Sequence, residues 1–231
     1  MSFDKRGNAL IELLDELEDR SHRYVLVGGY AVSAFDTRFS TDLDIVVASE
    51  KKDDFVSFLA ENGFEETDSH AKNWMYNTEV VQYEKQLGPR QPIGFDLLVN
   101  GLGCRQTEAQ WSFEYLADHS SIREVSGGTR STTARVVDGT VLAAAKLHSG
   151  RETDLRDVLA IAEEIDVATI TPHLWRGDGD ALRDQLERGV EILGRDEFEH
   201  GFQSEFGVSS VSAETVSELR AYLLEQIGRS D

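Results

Sequence analysis

Two carboxylates at alternate positions of an otherwise apolar run, Asp42-Leu43-Asp44-Ile45-Val46-Val47, set the tightest limit on how this chain folds. Side chains alternate along a strand, so Asp42 and Asp44 share one face while Leu43 and Ile45 point into a core. Like charges held side by side on a rigid strand repel, and a divalent cation relieves the repulsion; Mg²⁺ is normally held by one or two carboxylates together with substrate phosphates. Upstream, Tyr24-Val25-Leu26-Val27 reads as a second strand that ends at Gly28-Gly29 and a short helix around Tyr30-Ala31. Glycines let a ligand approach the backbone, and free N–H groups at a helix start face an anion, so Gly28 and Gly29 are candidates for cradling phosphate.

A third acid lies in Ile93-Gly94-Phe95-Asp96-Leu97-Leu98-Val99-Asn100. A carboxylate inside an apolar strand is costly unless it is paired or bound to metal. The intervening chain supplies an amphipathic helix over 4–20 (Leu10, Leu13, Leu14, Leu17) and a helix over 51–62 (Phe55, Phe58, Leu59) that ends at Asn62-Gly63 and returns the chain to the sheet. Aromatic-rich strands are expected near Asn73–Tyr76 and Val80–Glu84, with a turn at Asn77-Thr78-Glu79. After a mixed segment from Gln106 to Asp118, strands at Ile122–Val125 and Thr132–Val137 flank Gly127-Gly128. A boundary near Asp138 divides residues 1–137 from a helical region, 138–231, in which Asp138 caps a helix over 139–149. Helices over 152–165, from Pro172, over 180–193 and over 213–227 follow.

Composition narrows the partners. Asp and Glu number 43 against 23 Lys and Arg, a formal charge of −20, and such a surface repels nucleic acid and anionic membrane at low salt. Arg outnumbers Lys, a bias that resembles halophilic proteins, whose saline cytoplasm screens the repulsion and readmits a nucleic-acid partner. Arg123, Arg130 and Arg135 are the residues from which a local basic patch would be built. Cys104 stands alone and is assigned no role; a reducing, cytoplasmic location without membrane partner is expected from this, from the lack of a spanning apolar run and from the lack of a basic-then-apolar leader. His148, His173 and His200 are isolated, with no zinc spacing, Walker loop or nucleophile elbow.

The Gly28-Gly29 turn, the short helix and Asp42-x-Asp44 together resemble the signature of the nucleotidyltransferase superfamily, and the spelling Arg38-Phe39-Ser40-Thr41-Asp42-Leu43-Asp44 is most similar to the AbiEii/MenT-like, toxin-type branch. The resemblance implies an α+β (α/β) fold, a mixed β-sheet with flanking helices as the catalytic core, followed by the helical C-terminal domain. It implies that Asp42, Asp44 and Asp96 ligate two Mg²⁺ ions and serve catalysis. Gly28, Gly29, Arg38, Ser40 and Thr41 would contact the NTP. The stretch Ala143-Ala144-Ala145-Lys146 … Arg151-Glu152-Thr153-Asp154-Leu155-Arg156-Asp157 is similar to a second motif of that branch, which casts Lys146 as the triphosphate contact and Asp157 as a later acid of the nucleotide site. The same spacing also allows Lys146 or Arg151 simply to pair with Asp154 on a helix. The activity implied is transfer of an NMP from an NTP to a hydroxyl on RNA (tRNA) or protein, as the toxin of a toxin–antitoxin pair with an antitoxin protein as partner. The alternatives are a small-molecule, aminoglycoside-like nucleotidyltransferase and a non-catalytic nucleotide- or partner-binding module.

Overall fold

Strand pairing in a computed structural model, which describes residues 2–20, 22–36, 38–71, 76, 78–195, 198 and 212–229, gives the carboxylate run two sheet neighbours. The strands are β1 (Val25–Val27), β2 (Asp42–Val47), β3 (Glu65–Ala71), β4 (Glu79–Gln86), β5 (Pro92–Val99), β8 (Ser120–Gly127) and β9 (Arg130–Val137), with two further short strands, β6 (Gly101–Gly103) and β7 (Gln110–Ser112). The seven-stranded sheet has the order β3-β4-β5-β2-β1-β9-β8. It is mixed: β2 runs parallel to β5 and β1 parallel to β9, while β1–β2, β3–β4, β4–β5 and β8–β9 are antiparallel.

The chain divides into two compact units, one of residues 1–34, 38–102 and 111–137, the other of residues 35–37, 103–110 and 138–231. In the first, helix α1 (Ser2–Asp19) buries Leu10, Leu13, Leu14 and Leu17, the stripe that the periodicity marks, against β8 and β9. A short helix, α2 (Gly28–Val32), follows β1 directly. Helix α3 (Lys52–Glu61) buries Phe55, Phe58 and Leu59, with Tyr24 edge-on to Phe55, and ends before Gly63 at φ +74°. On the same apolar layer Phe64 meets Phe95 edge-on. The return from α3 goes to β3 at the sheet edge, because β4 and β5 occupy the places between it and β2. A strand stands at 65–71, ahead of the one expected near 73–76; Asn73, Trp74, Met75 and Asn77 of the expected strand and turn, and His200, lie outside the described residues. The mixed segment resolves into β7 and helix α4 (Phe113–Asp118), capped by the Ser112 hydroxyl.

From Asp138 onward the described part of the second unit carries helices α5 (Gly139–Ser149), α6 (Glu152–Ala162), α7 (Thr171–Leu174), α8 (Gly179–Leu193) and α9 (Ala213–Ile227). Asp138 occupies the N-cap position of α5, yet its side chain makes no capping hydrogen bond, which corrects the expected cap. Gly150, at φ +61°, turns the chain out of α5 in the left-handed conformation that glycine tolerates. Leu155 of α6, Gly189 of α8 and Leu223 of α9 meet; a Cβ on Gly189 would lie 3.2 Å from Leu223 and 3.4 Å from Leu155, so the bare backbone lets three helices close up.

His148, one of the isolated histidines, is fully buried. Its Nε2 donates to the Leu174 carbonyl at 2.6 Å, which leaves Nδ1 to accept from the Thr107 hydroxyl at 2.6 Å. Burial pushes its pKa down to about 4; the Leu174 carbonyl opposes this and the Arg176 charge adds to it. The unfolded chain takes up this proton from about pH 6.5 downward, whereas the folded protein resists until about pH 4. Stability should therefore be full above pH 6.5 and fall by up to about 3 kcal/mol on acidification toward pH 4. Urea unfolding of wild type and His148→Gln between pH 7 and 5 checks this: the variant, weaker throughout, should show a flatter slope.

Candidate active site

The acids converge because of register. Across the parallel β2–β5 ladder Asp42 stands opposite Gly94 and Asp44 opposite Asp96. Paired residues on neighbouring strands project to the same face, so Asp42, Asp44 and Asp96 share one side of the sheet. The antiparallel β4 extends both rows, with Gln82 opposite Asp96 and Glu84 opposite Gly94. Both acid-bearing strands alternate half-buried and buried positions where they begin and are buried on both faces where they end. The acids therefore lie at the open end of the sheet. There Thr41, Asp42, Thr67, Gln82, Tyr83, Glu84, Gly94 and Asp96 line a cleft of about 280 Å³.

Glycine makes room for this arrangement. Gly28 has φ +66°, and a Cβ added to it would fall 1.9 Å from Oδ2 of Asp44, so the carboxylate occupies the space a side chain would take. A Cβ on Gly29 would lie 2.9 Å from both Nη1 of Arg38 and Oγ of Ser40. These are the residues the sequence nominates, Gly28 and Gly29 against Asp44, Arg38 and Ser40, gathered at the junction of β1, α2 and β2. On the other strand a Cβ on Gly94 would come within 3.0 Å of the Asp42 Cβ. Bare backbone at Gly94 leaves the floor of the cleft open between Asp42 and Glu84.

Hydrogen bonds hold the acids. The Ser40 hydroxyl donates to Oδ1 of Asp42 at 2.9 Å, and the Thr41 hydroxyl approaches the same oxygen at 3.5 Å. The two hydroxyls expected on phosphate are thus turned to the carboxylate beside them. Gln82 Nε2 donates to both carboxylate oxygens of Asp96, each at 3.1 Å. Burial pushes the Asp96 carboxyl above the usual carboxylate range; the Gln82 amide works against this and the negative charge of Asp42 works with it. Burial also pushes up the Tyr30 phenol, helped by Asp42. Sequence reasoning missed Gln82, Glu84, Thr67 and Gly94 as cleft residues. The available signal was the alternation Gln82-Tyr83-Glu84, polar residues on one face of a strand whose other face carries buried Tyr83.

Lys146 and Asp157 belong to the second unit, and their surroundings differ from the expectation. The Lys146 ammonium donates to Asp154 at 3.1 Å and Asp157 at 2.6 Å, with side chains 9%, 3% and 0% exposed. Arg151 forks onto Asp154 at 2.6 and 3.2 Å, and Ser149 donates to it at 2.6 Å. Burial alone would raise the Asp154 carboxyl, but the Lys146 charge and the Arg151 and Ser149 hydrogen bonds outweigh it and hold the pKa below the usual range. Two cations and two carboxylates tie α5 to α6. The charge of Lys146 meets two buried carboxylates, a pairing that ties helix to helix, and Asp157 is equally enclosed.

The donor set fits a hard divalent cation. Asp44 sits against bare Gly28, Asp42 and Asp96 repel enough to shift a proton equilibrium, and every donor is oxygen. Among the described residues no three His, Cys, Asp or Glu side chains enclose an ion by themselves.

Residues 9–163 match the family model of aminoglycoside-2''-adenylyltransferase. Among solved structures the chain is similar to a lincosamide antibiotic adenylyltransferase, LnuA, with lincomycin bound (17% identity over 69% of this chain and 97% of that one, TM-score 0.45). It is also similar to the antibiotic-resistance factor ANT(2'')-Ia (14% identity over 96% and 92%, TM-score 0.42). No curated protein matches. The superfamily read from the Gly-Gly and Asp-x-Asp signature stands, but the matched family is antibiotic-modifying, which corrects the toxin-type branch inferred from the spelling around Arg38–Asp44.

Two outcomes are expected. Gly28→Ala forces a methyl into the Asp44 carboxylate from a left-handed backbone position; it should cost about 1–3 kcal/mol in urea unfolding and weaken Mg²⁺-dependent nucleotide binding about tenfold in calorimetry. Lys146→Ala takes the ammonium away from two buried carboxylates, of which Asp154 keeps Arg151, and should cost about 3–5 kcal/mol, read as a lowered urea midpoint; a midpoint equal to wild type would reject the structural role.

Proposed function

The chain belongs to the aminoglycoside-2''-adenylyltransferase family and is a nucleotidyltransferase, and from that premise we propose that it transfers AMP from ATP to a hydroxyl of a cationic, polyhydroxylated small molecule of the aminoglycoside class. The observation that carries this acceptor is the cleft itself. Asp42, Glu84 and Asp96 line it, and none of its described lining residues is Lys, Arg or His. A formal charge of −20 adds a long-range field of the same sign. Such a cleft attracts a polyamine-like sugar and repels an RNA backbone. No feature of the cleft favours RNA, a protein acceptor or an antitoxin, and those readings are not carried further.

In the proposed reaction the acceptor hydroxyl oxygen bonds to the α-phosphorus of ATP, and the bond from that phosphorus to the pyrophosphate oxygen breaks. The hydroxyl proton passes to Asp96, the cleft carboxylate held by the Gln82 amide. Asp42 and Asp44, with Asp96 beside them, would hold Mg²⁺. When bound, the metal neutralises phosphate charge and lowers the pKa of an attacking hydroxyl. Gly28, Gly29 and Arg38, grouped beside Asp44, would contact the triphosphate through backbone and guanidinium.

Pyrophosphate release measured with ATP, Mg²⁺ and a panel of aminoglycosides and neutral polyols tests this. Release is expected with the cationic acceptors and should fall at least about 100-fold in Asp42→Ala and Asp44→Ala. Turnover retained in either variant would remove the metal assignment. Label from ATP appearing in RNA or protein of a host extract, with none on the small molecules, would overturn the acceptor.

A further inference from the structure

We propose that Gln82 is a positioning residue that fixes the Asp96 carboxylate for the reaction, an inference that rests on the function proposed above. Three adjacent strands carry one aligned row, Gln82 on β4, Asp96 on β5 and Asp44 on β2. The Gln82 amide nitrogen donates to both oxygens of Asp96 at 3.1 Å. A carboxylate has two free side-chain torsions, and this contact removes the freedom of the head group from the side away from Asp44.

The chemistry of the donor matters as much as its place. A neutral amide holds the carboxylate without cancelling its charge, so Asp96 still attracts a cation or a proton. A lysine or arginine there would form an ion pair and compete with both. Both partners lie on paired strands of the sheet, which define such a contact more tightly than a loop would.

A residue that acts through Asp96 should affect turnover and not substrate affinity. Gln82→Leu removes the donor with similar volume, and Gln82→Glu is isosteric but carries no N–H when ionised. Both variants should keep the circular dichroism spectrum of wild type, lose about tenfold or more in kcat, and leave KM for ATP and acceptor within about threefold. Mn²⁺ affinity, read by electron paramagnetic resonance without turnover, should weaken about tenfold in both. A kcat within twofold of wild type in either variant, or a loss confined to KM, overturns the assignment. Should wild type itself turn over no nucleotide, the proposed function fails, and the Mn²⁺ titration alone decides: affinity equal to wild type in the variants then overturns the role of Gln82.

Discussion

Pairing of β2 with β5 in parallel, Asp44 opposite Asp96, is the constraint on which the site depends. A slip of one residue would turn the acids of one strand to the other face, where Leu43, Ile45, Phe95 and Leu97 are fully buried. The register is held because the apolar half of each strand has one place to go. Burying each of these large side chains stabilises the fold by about 1.5–3 kcal/mol, enough for four of them to outweigh the repulsion they impose on the acids. The hydrophobic core thus sets the distance between like charges, and the charges in turn create the demand for a cation.

Around that ladder the fold uses absence of side chains as a tool. Gly28 yields its Cβ space to Asp44, Gly29 lies against Arg38 and Ser40, and Gly94 opens the floor beside Asp42. The neutral donors Ser40 and Gln82 then orient two of the three acids without discharging them. In the second unit the opposite solution appears. There Lys146 and Arg151 pair with Asp154 and Asp157, and opposite charges stand beside one another across two helices. Contrast between the two clusters explains why the strand acids are the ones read as reactive.

Much of this was legible in the chain. Alternation in Asp42–Val47 and Ile93–Val99 gave both strands and the faces of their acids, and heptad-like leucines gave α1. The Gly-Gly turn beside Asp-x-Asp gave the superfamily. Its branch was misread because a seven-residue spelling holds little information on the acceptor, which is selected by side chains elsewhere. Alternation in Gln82-Tyr83-Glu84 marks only a polar face; such a residue joins a site when pairing sets it beside a carboxylate, which no local window shows. Lys146 is a related case: an isolated cation on a helix looks available until its partners on the next helix are known, and helical spacing had allowed its pairing with Asp154.

By itself the sequence determined the elements, the shared face of Asp42 and Asp44, and the acidic field around them, because these follow from periodicity and composition along the chain. Which strand lies beside which, and therefore that Gln82, Asp96 and Asp44 form one row while Lys146 is enclosed by Asp154 and Asp157, was decided by tertiary packing. Neighbours far apart in sequence are chosen by the burial of apolar faces over the whole unit, a quantity no local window contains.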